Sequence, residues 1–269
     1  MRTLQLGTSR IGYELKLYFR QGDSVFFTFL FPILMLSVFA VAFSTSPNIG
    51  ADMDGGGITY AAFYLPGMVA AGMLLSGVQN LGVDIAAEKG DGTLKRLGGT
   101  PLPVFSYFMG KIGMVFVSSV LQVILLLLVA RFAFDVELPA EAAKWLTFTW
   151  VFLFGVITSC VLGIALSALP RSGKSATAVV IPIVLLLQFI SGVYLPFSQL
   201  PVWLQNFASI FPLKWMAQGM RAVFLPESFE AIEPSGSWDL GLVALVMGVW
   251  LVVGLVLCRF TFRWIRKDR

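Results

Sequence analysis

The chain has 269 residues, 57% of them hydrophobic and only 13% charged. A water-soluble domain carries roughly 25% charged residues, so this composition excludes a globule clothed in polar side chains. The net charge of +4 does not mark a nucleic-acid surface, because the basic residues lie between apolar runs rather than in one patch.

Residues 2–22 read as an amphipathic helix, with Leu4, Ile11, Leu15, Tyr18 and Phe19 on one arc and Arg2, Arg10, Lys16 and Arg20 on another. That pattern suits a helix lying at a membrane interface, and residues 1–24 are assigned to it. Stretches free of Asp, Glu, Lys and Arg follow at 24–51, 55–83, 112–130, 145–170, 175–213 and 240–258. About 20 helical residues cross a ~30 Å hydrocarbon core. The expected spans are therefore about 25–45, 58–82, 112–131, 145–169, 175–195 and 240–260 within a transmembrane domain over 25–262. The first is too long for a signal-peptide core and is read as retained.

Between spans two and three, residues 84–111 are too polar for lipid. Asp84 to Lys89 can end one helix, and Thr93 to Leu97 can form a short one between Gly90, Gly92, Gly98 and Gly99. A short helix between hinges outside the membrane suits contact with a partner. Residues 196–238 stay apolar but are broken by Pro196, Pro201, Pro212 and Pro226, so short helices dipping into the outer leaflet are expected there.

Of the 19 Lys and Arg, fifteen fall on one side of this scheme: in 2–22, 84–111, 170–175 and the tail from Arg259, which includes 263–269. The other side holds only Arg131, Lys144, Lys214 and Arg221. By the positive-inside rule the fifteen, and both termini, face the cytoplasm.

The chain has no histidine, which removes Ser-His-Asp and Cys-His catalysis, His metal sites and His proton relays. Cys160 and Cys258 sit inside or at the end of apolar stretches, as small buried residues do. The spans hold no carboxylate, unlike most ion-coupled transporters. Their polar residues are amides, Gln79, Asn80, Gln122 and Gln188, which can bond between helices or line a substrate path. Gly173-Lys174-Ser175 ends like a phosphate-binding loop, but position 168 is alanine where that motif needs glycine. The chain is therefore not expected to bind a nucleotide.

The segment Glu88-Lys-Gly-Asp-Gly92-Thr93-Leu94-Lys-Arg96-Leu97-Gly-Gly-Thr100-Pro101, followed by Gly110-Lys111, resembles the loop after the second span of ABC-2 type permeases. A second match runs through Ser191-Gly192-Val-Tyr-Leu-Pro196, Leu200-Pro201-x-Trp203-Leu204, Phe211-Pro212-Leu213 and Met220-Arg221. The family's frequent Asn-Pro stands here as Phe211-Pro212.

The resemblance implies an all-α membrane protein of six spans, with the interfacial helix and a re-entrant outer segment between spans five and six. It implies a permease subunit of an ATP-driven exporter, not itself an enzyme, in a prokaryotic plasma membrane. Its partners would be a second permease, identical or homologous, and two copies of a separate ABC ATPase that carries ATP and Mg. Glu88, Gly92, Thr93, Leu94, Arg96, Leu97, Thr100 and Pro101 would contact that ATPase, with Leu94 and Leu97 as apolar anchors. The loop is most similar to those of drug and antibiotic exporters, implying an amphipathic small molecule as substrate. Polysaccharide or lipid-linked glycan export, and a scaffold that transports nothing, are the alternatives; no cofactor or metal on this chain is expected.

Overall fold

A computed structural model describes residues 2–52, 57–170 and 173–261, which are almost wholly helical. In chain order the helices are α1 (Arg2–Tyr18), α2 (Gly22–Ala42), α3 (Tyr60–Gly90), α4 (Thr93–Gly98) and α5 (Val104–Phe134). They are followed by α6 (Ala142–Leu166), α7 (Gly173–Ile190), α8 (Val202–Ala208), α9 (Pro212–Phe224) and α10 (Leu240–Thr261). Five of these, α2, α3, α5, α6 and α10, are long and apolar enough to cross a membrane, and α7 is a shorter apolar helix. The expected tail over 263–269 lies outside the described residues.

The central element is α3. It packs against α2, α5, α6, α7 and α9, and nearly every residue from Ala61 to Ala86 is buried or half-buried. Thr59 caps its start, accepting a hydrogen bond from the Ala62 N–H at 3.3 Å. Two stacked ring pairs join it to α2, Phe39 on Tyr64 at 4.3 Å and Phe43 on Tyr60 at 4.6 Å. Two glycines let α6 approach it closely. A Cβ on Gly77 would lie 2.5 Å from the Ser159 Cβ, and one on Gly163 would overlap the Gly77 carbonyl oxygen.

Both α2 and α3 contain π-helical stretches, Phe26–Leu30 and Leu75–Asn80. The two touch, and the Asn80 Nδ2 donates to the buried Thr28 Oγ1 at 2.7 Å. A π stretch adds a residue to the turn and shifts the side-chain register beyond it.

The structure moves several expected boundaries. The stretches 58–82 and 112–131 are the apolar middles of two 31-residue helices, each about 46 Å long and so longer than a ~30 Å hydrocarbon core. Both α3 and α5 overhang at the same end of the bundle, where α1 packs along α5. The buried stripe of α1 is Gly7, Glu14 and Tyr18, whereas Leu4 and Phe19 are exposed. The helix is thus held by protein along a face that includes a carboxylate, while Leu4 and Phe19 of its apolar arc stay exposed.

The segment over 196–238 divides into two kinds of structure. Helix α8 leaves Val202 and Trp203 about 70% and 69% exposed, as a helix in an outer leaflet would. Helix α9, by contrast, is buried at all 13 residues among α3, α6 and α10. It is part of the core. Its polar residues bond to the chain that follows: Arg221 Nε to Glu233 Oε1 at 2.5 Å, and Gln218 Nε2 to the Trp238 carbonyl at 2.8 Å.

Candidate functional site

Charged side chains converge where α1, α3 and α5 meet. Asp84 and Glu88 lie four residues apart and therefore share a face near the end of α3. Tyr107 and Lys111 do the same near the start of α5, and Glu14 approaches from α1. The Lys111 ammonium donates to Glu14 Oε2 at 2.8 Å, Asp84 Oδ2 at 2.5 Å and Glu88 Oε1 at 2.8 Å. All three of its N–H bonds are thereby used. The Tyr107 hydroxyl donates to Glu88 Oε2 at 2.6 Å, and Arg10 Nε to Glu14 Oε1 at 2.7 Å.

Lys111 and Glu14 are 1% and 2% exposed, so neither charge has water to fall back on. A buried charge is tolerated only when paired, and here one ammonium and one guanidinium face three carboxylates. The three carboxylates come within 4.8 Å of one another, close enough to hold a metal ion. The Lys111 ammonium already donates to each of them, which makes the cluster an ion-pair network rather than a metal cage.

Helix α4 hangs directly from this network. Asp91 ends α3, Gly92 turns the chain with φ of 80°, and the Asp91 carboxylate accepts from the Thr93 backbone N–H at 2.8 Å. Hydrogen bonds from the Thr93 side chain and backbone hold Asp91 below the usual carboxylate range. Arg96 Nη2 donates to Thr93 Oγ1 at 3.0 Å, and the Thr100 hydroxyl donates to the Leu97 carbonyl at 2.7 Å. At the same end, Lys89 Nζ donates to the Ala168 carbonyl just beyond α6.

The residues expected to meet a partner divide between two faces. Leu94 is only 4% exposed and packs in the chain's own core, with Leu97 half-buried against it. Glu88 points inward to Tyr107 and Lys111. Neither Leu94 nor Glu88 is presented outward as a partner contact would be, because each satisfies its chemistry within the chain. The exposed face of the α4 region consists of Lys95, Arg96, Gly99, Thr100 and Pro101, with Gly92 and Thr93 half-buried at its start.

The four amides are not brought together in one cavity. Gln79 and Asn80 line a groove among α2, α3 and α7. Gln122 packs against Gly72, where a Cβ would strike its side chain. Gln188 Oε1 accepts from the Tyr194 hydroxyl at 2.6 Å. Sequence reasoning singled out Glu88 but missed Glu14, Asp84, Tyr107 and Lys111 as its partners. The available signal was the four-residue spacing of Asp84 and Glu88 beside a lysine at the head of the next apolar stretch.

Helices of this length, joined at one end by a buried ionic network, define a helical multi-pass membrane protein. The sequence matches the family model "ABC-2 type transporter" over residues 11–225, and the chain belongs to that family. It is 23% identical over 191 residues to the Escherichia coli "Probable multidrug ABC transporter permease YbhR", covering 71% of this chain and 51% of that one. It thus spans about half the length of that relative. It is 29% identical over 170 residues to ABC transporter G family member 20 of Dictyostelium discoideum, covering 61% of this chain and 22% of that one. The Cyanophora paradoxa "Putative transport permease ycf38" is 24% identical over 226 residues, covering 84% of this chain and 75% of that one. Permease subunits of the family have no catalytic domain and no cofactor; ATP is bound by a separate ATPase.

Proposed function

We propose that this chain is the membrane permease of an ATP-driven exporter that moves an amphipathic small molecule outward. In this reading α2, α3, α5, α6, α7 and α10 cross the bilayer, and α1, α4 and both termini face the cytoplasm. Helix α7, at 18 residues, is about 27 Å long and reaches across a slightly thinned core. The orientation rests on the positive-inside count, which places Lys95, Arg96 and the charged network on the cytoplasmic side.

The observation that carries the reading is the Lys111 network. It binds α1, α3 and α5 into one body directly above α4, so a push on α4 is transmitted to long helices rather than lost in a loose loop. A separate ABC ATPase, present in two copies with ATP and Mg, would supply that push. A second permease, identical or homologous, would complete the transporter. Two arrangements of the helices, biased from the cytoplasmic side, then suffice for alternating access. Similarity to the Escherichia coli protein named as a probable multidrug permease supports a drug-like substrate.

The test is reconstitution of the full chain with a co-expressed ABC ATPase subunit. Arg96→Glu combined with Lys95→Glu is expected to abolish ATPase association while leaving the chain folded. Full association of the double variant would remove α4 as the docking element. A wild-type chain that binds no ATPase subunit would remove the exporter reading itself.

A further inference from the structure

Arg221 on α9 meets Glu233 from the segment between α9 and α10, and each residue is only 7% exposed. A guanidinium presents N–H groups in a planar fork, and a carboxylate can accept from two of them at once. Here only half of that match is made. The Arg221 Nε donates to Glu233 Oε1 at 2.5 Å, whereas Arg221 Nη2 and Glu233 Oε2 are buried without a hydrogen-bond partner among the described residues. A charged donor and a charged acceptor left unpaired away from water are both costly.

The two residues line the same small space. Its volume is about 20 Å³, and Gly192, Ser198, Phe229 and Trp238 are also among its described walls. Roughly 10–15 Å³ is enough for one water molecule, and a small organic ligand needs some hundreds. The cavity therefore fits a single water.

The turn after α7 makes this room. Gly192 has φ of 80°, and a Cβ there would come within 3.0 Å of the Phe197 Cβ and 3.3 Å of Arg221 Nη1. Glycine is thus what lets the backbone run beside the guanidinium. On another side the apolar cluster of Ala222, Leu225, Phe229 and Trp238 shares three of its residues with the cavity wall. Next to such side chains a completed hydrogen bond is strong and a missing one is expensive.

We propose that this cavity is a binding site for one structural water molecule, which accepts from Arg221 Nη2 and donates to Glu233 Oε2. The water closes the ring that the direct Nε–Oε1 bond begins. Helix α9 and the chain leading to α10 are then joined through both arms of the fork. A neutral ligand that both donates and accepts is selected here, because a cation would face the guanidinium and an anion the carboxylate. This site is independent of what the protein carries and of the partner that drives it.

The test is X-ray radiolytic footprinting of the purified full chain in detergent micelles. The pulse converts a bound water to a hydroxyl radical, which marks the aromatic side chains that it touches before it can diffuse away. Phe229 and Trp238 line the cavity, are only 2% and 8% exposed, and are expected to be hydroxylated. Trp215, likewise 8% exposed, and Phe152, at 5%, do not line it and are expected to stay unmarked. The double variant Arg221→Met with Glu233→Leu removes donor and acceptor together, leaving no buried charge alone, and an apolar cavity of this size stays dry. The marks on Phe229 and Trp238 are expected to be lost in it. Equal marking of Trp215 and Trp238 in the wild type, or marks that persist in the double variant, would trace the label to exposure or opening of the segment and overturn the proposal. Absence of any mark on Phe229 and Trp238 in the wild type overturns it too. The comparison within the wild type decides the matter even if the double variant does not fold.

Discussion

The Lys111 ammonium lies 2.8 Å from Glu14 Oε2, a carboxylate 97 residues earlier in the chain, and both groups are buried. This contact ties α1 to α5 at the end of the bundle that carries α4. Removing the ammonium leaves Glu14 with Arg10 alone and deprives Asp84 and Glu88 of a cation. Lys111→Met is therefore expected to destabilise the chain by about 3–5 kcal/mol, the usual cost of breaking a buried pair from one side. The loss would show as a lower thermal midpoint in detergent. Neutralising Glu14, Asp84 and Glu88 together in the same variant is expected to recover part of it.

The crossing of α3 and α6 has no room for a methyl group. Gly163→Ala places a Cβ against the Gly77 carbonyl oxygen, which is backbone and cannot rotate aside. A cost of about 1–3 kcal/mol is expected from this overpacking. Gly12→Ala, where a Cβ would meet nothing within 4 Å, serves as the control and should be close to neutral. Thermal midpoints of the two variants measure the difference.

Leu94 and Arg96 stand two residues apart but predict different failures. Leu94→Asp puts a carboxylate into the core, so the folded chain itself should be lost from membranes by several kcal/mol of destabilisation. Arg96→Glu changes an exposed side chain and should cost no more than about 0.5 kcal/mol. Expression level and thermal midpoint should fall for the first variant and hold for the second, whatever either does to a partner.

The cap at Asp91 predicts a pH dependence. Its folded pKa is held below the ordinary 3.8, so ionised Asp91 stabilises α4 above that value. The contribution is lost as the pH falls through the lowered pKa. Exchange of the Thr93 amide, corrected for its intrinsic rate, should accelerate below about pH 4 in the wild type. In Asp91→Ala it should be fast throughout.

Trp203 tests the outer segment. Its indole is 69% exposed on α8, and under the proposed topology it lies in lipid. Brominated acyl chains are expected to quench a component of the fluorescence that Trp203→Phe removes. Quenching equal in the wild type and the variant would place α8 in water.

The apolar helices were legible because length and hydropathy suffice to identify them. Their ends were not. Asp84, Glu88 and Lys111 interrupt the hydropathy pattern, yet they pair with one another across α3 and α5, and both helices continue through them. Leu94 was legible as an apolar helical residue, but a lone leucine in a polar loop does not reveal whether its own chain or a partner covers it. Helix α9 was hidden by composition. Lys214, Gln218 and Arg221 argue against a core position until their bonding partners are known.

Those partners have a consequence for how the protein is made. Helix α9 is too short and too polar to enter lipid alone, and Glu233 and Trp238, which accept hydrogen bonds from Arg221 and Gln218, are synthesised after it. Its enclosure by α10 needs still later residues. The core around α9 therefore closes only after the chain has passed the head of α10, so a helix made later completes an interior laid down earlier. Loss of α10 by truncation would leave a buried element with nowhere to go, and quality-control proteases would find it open.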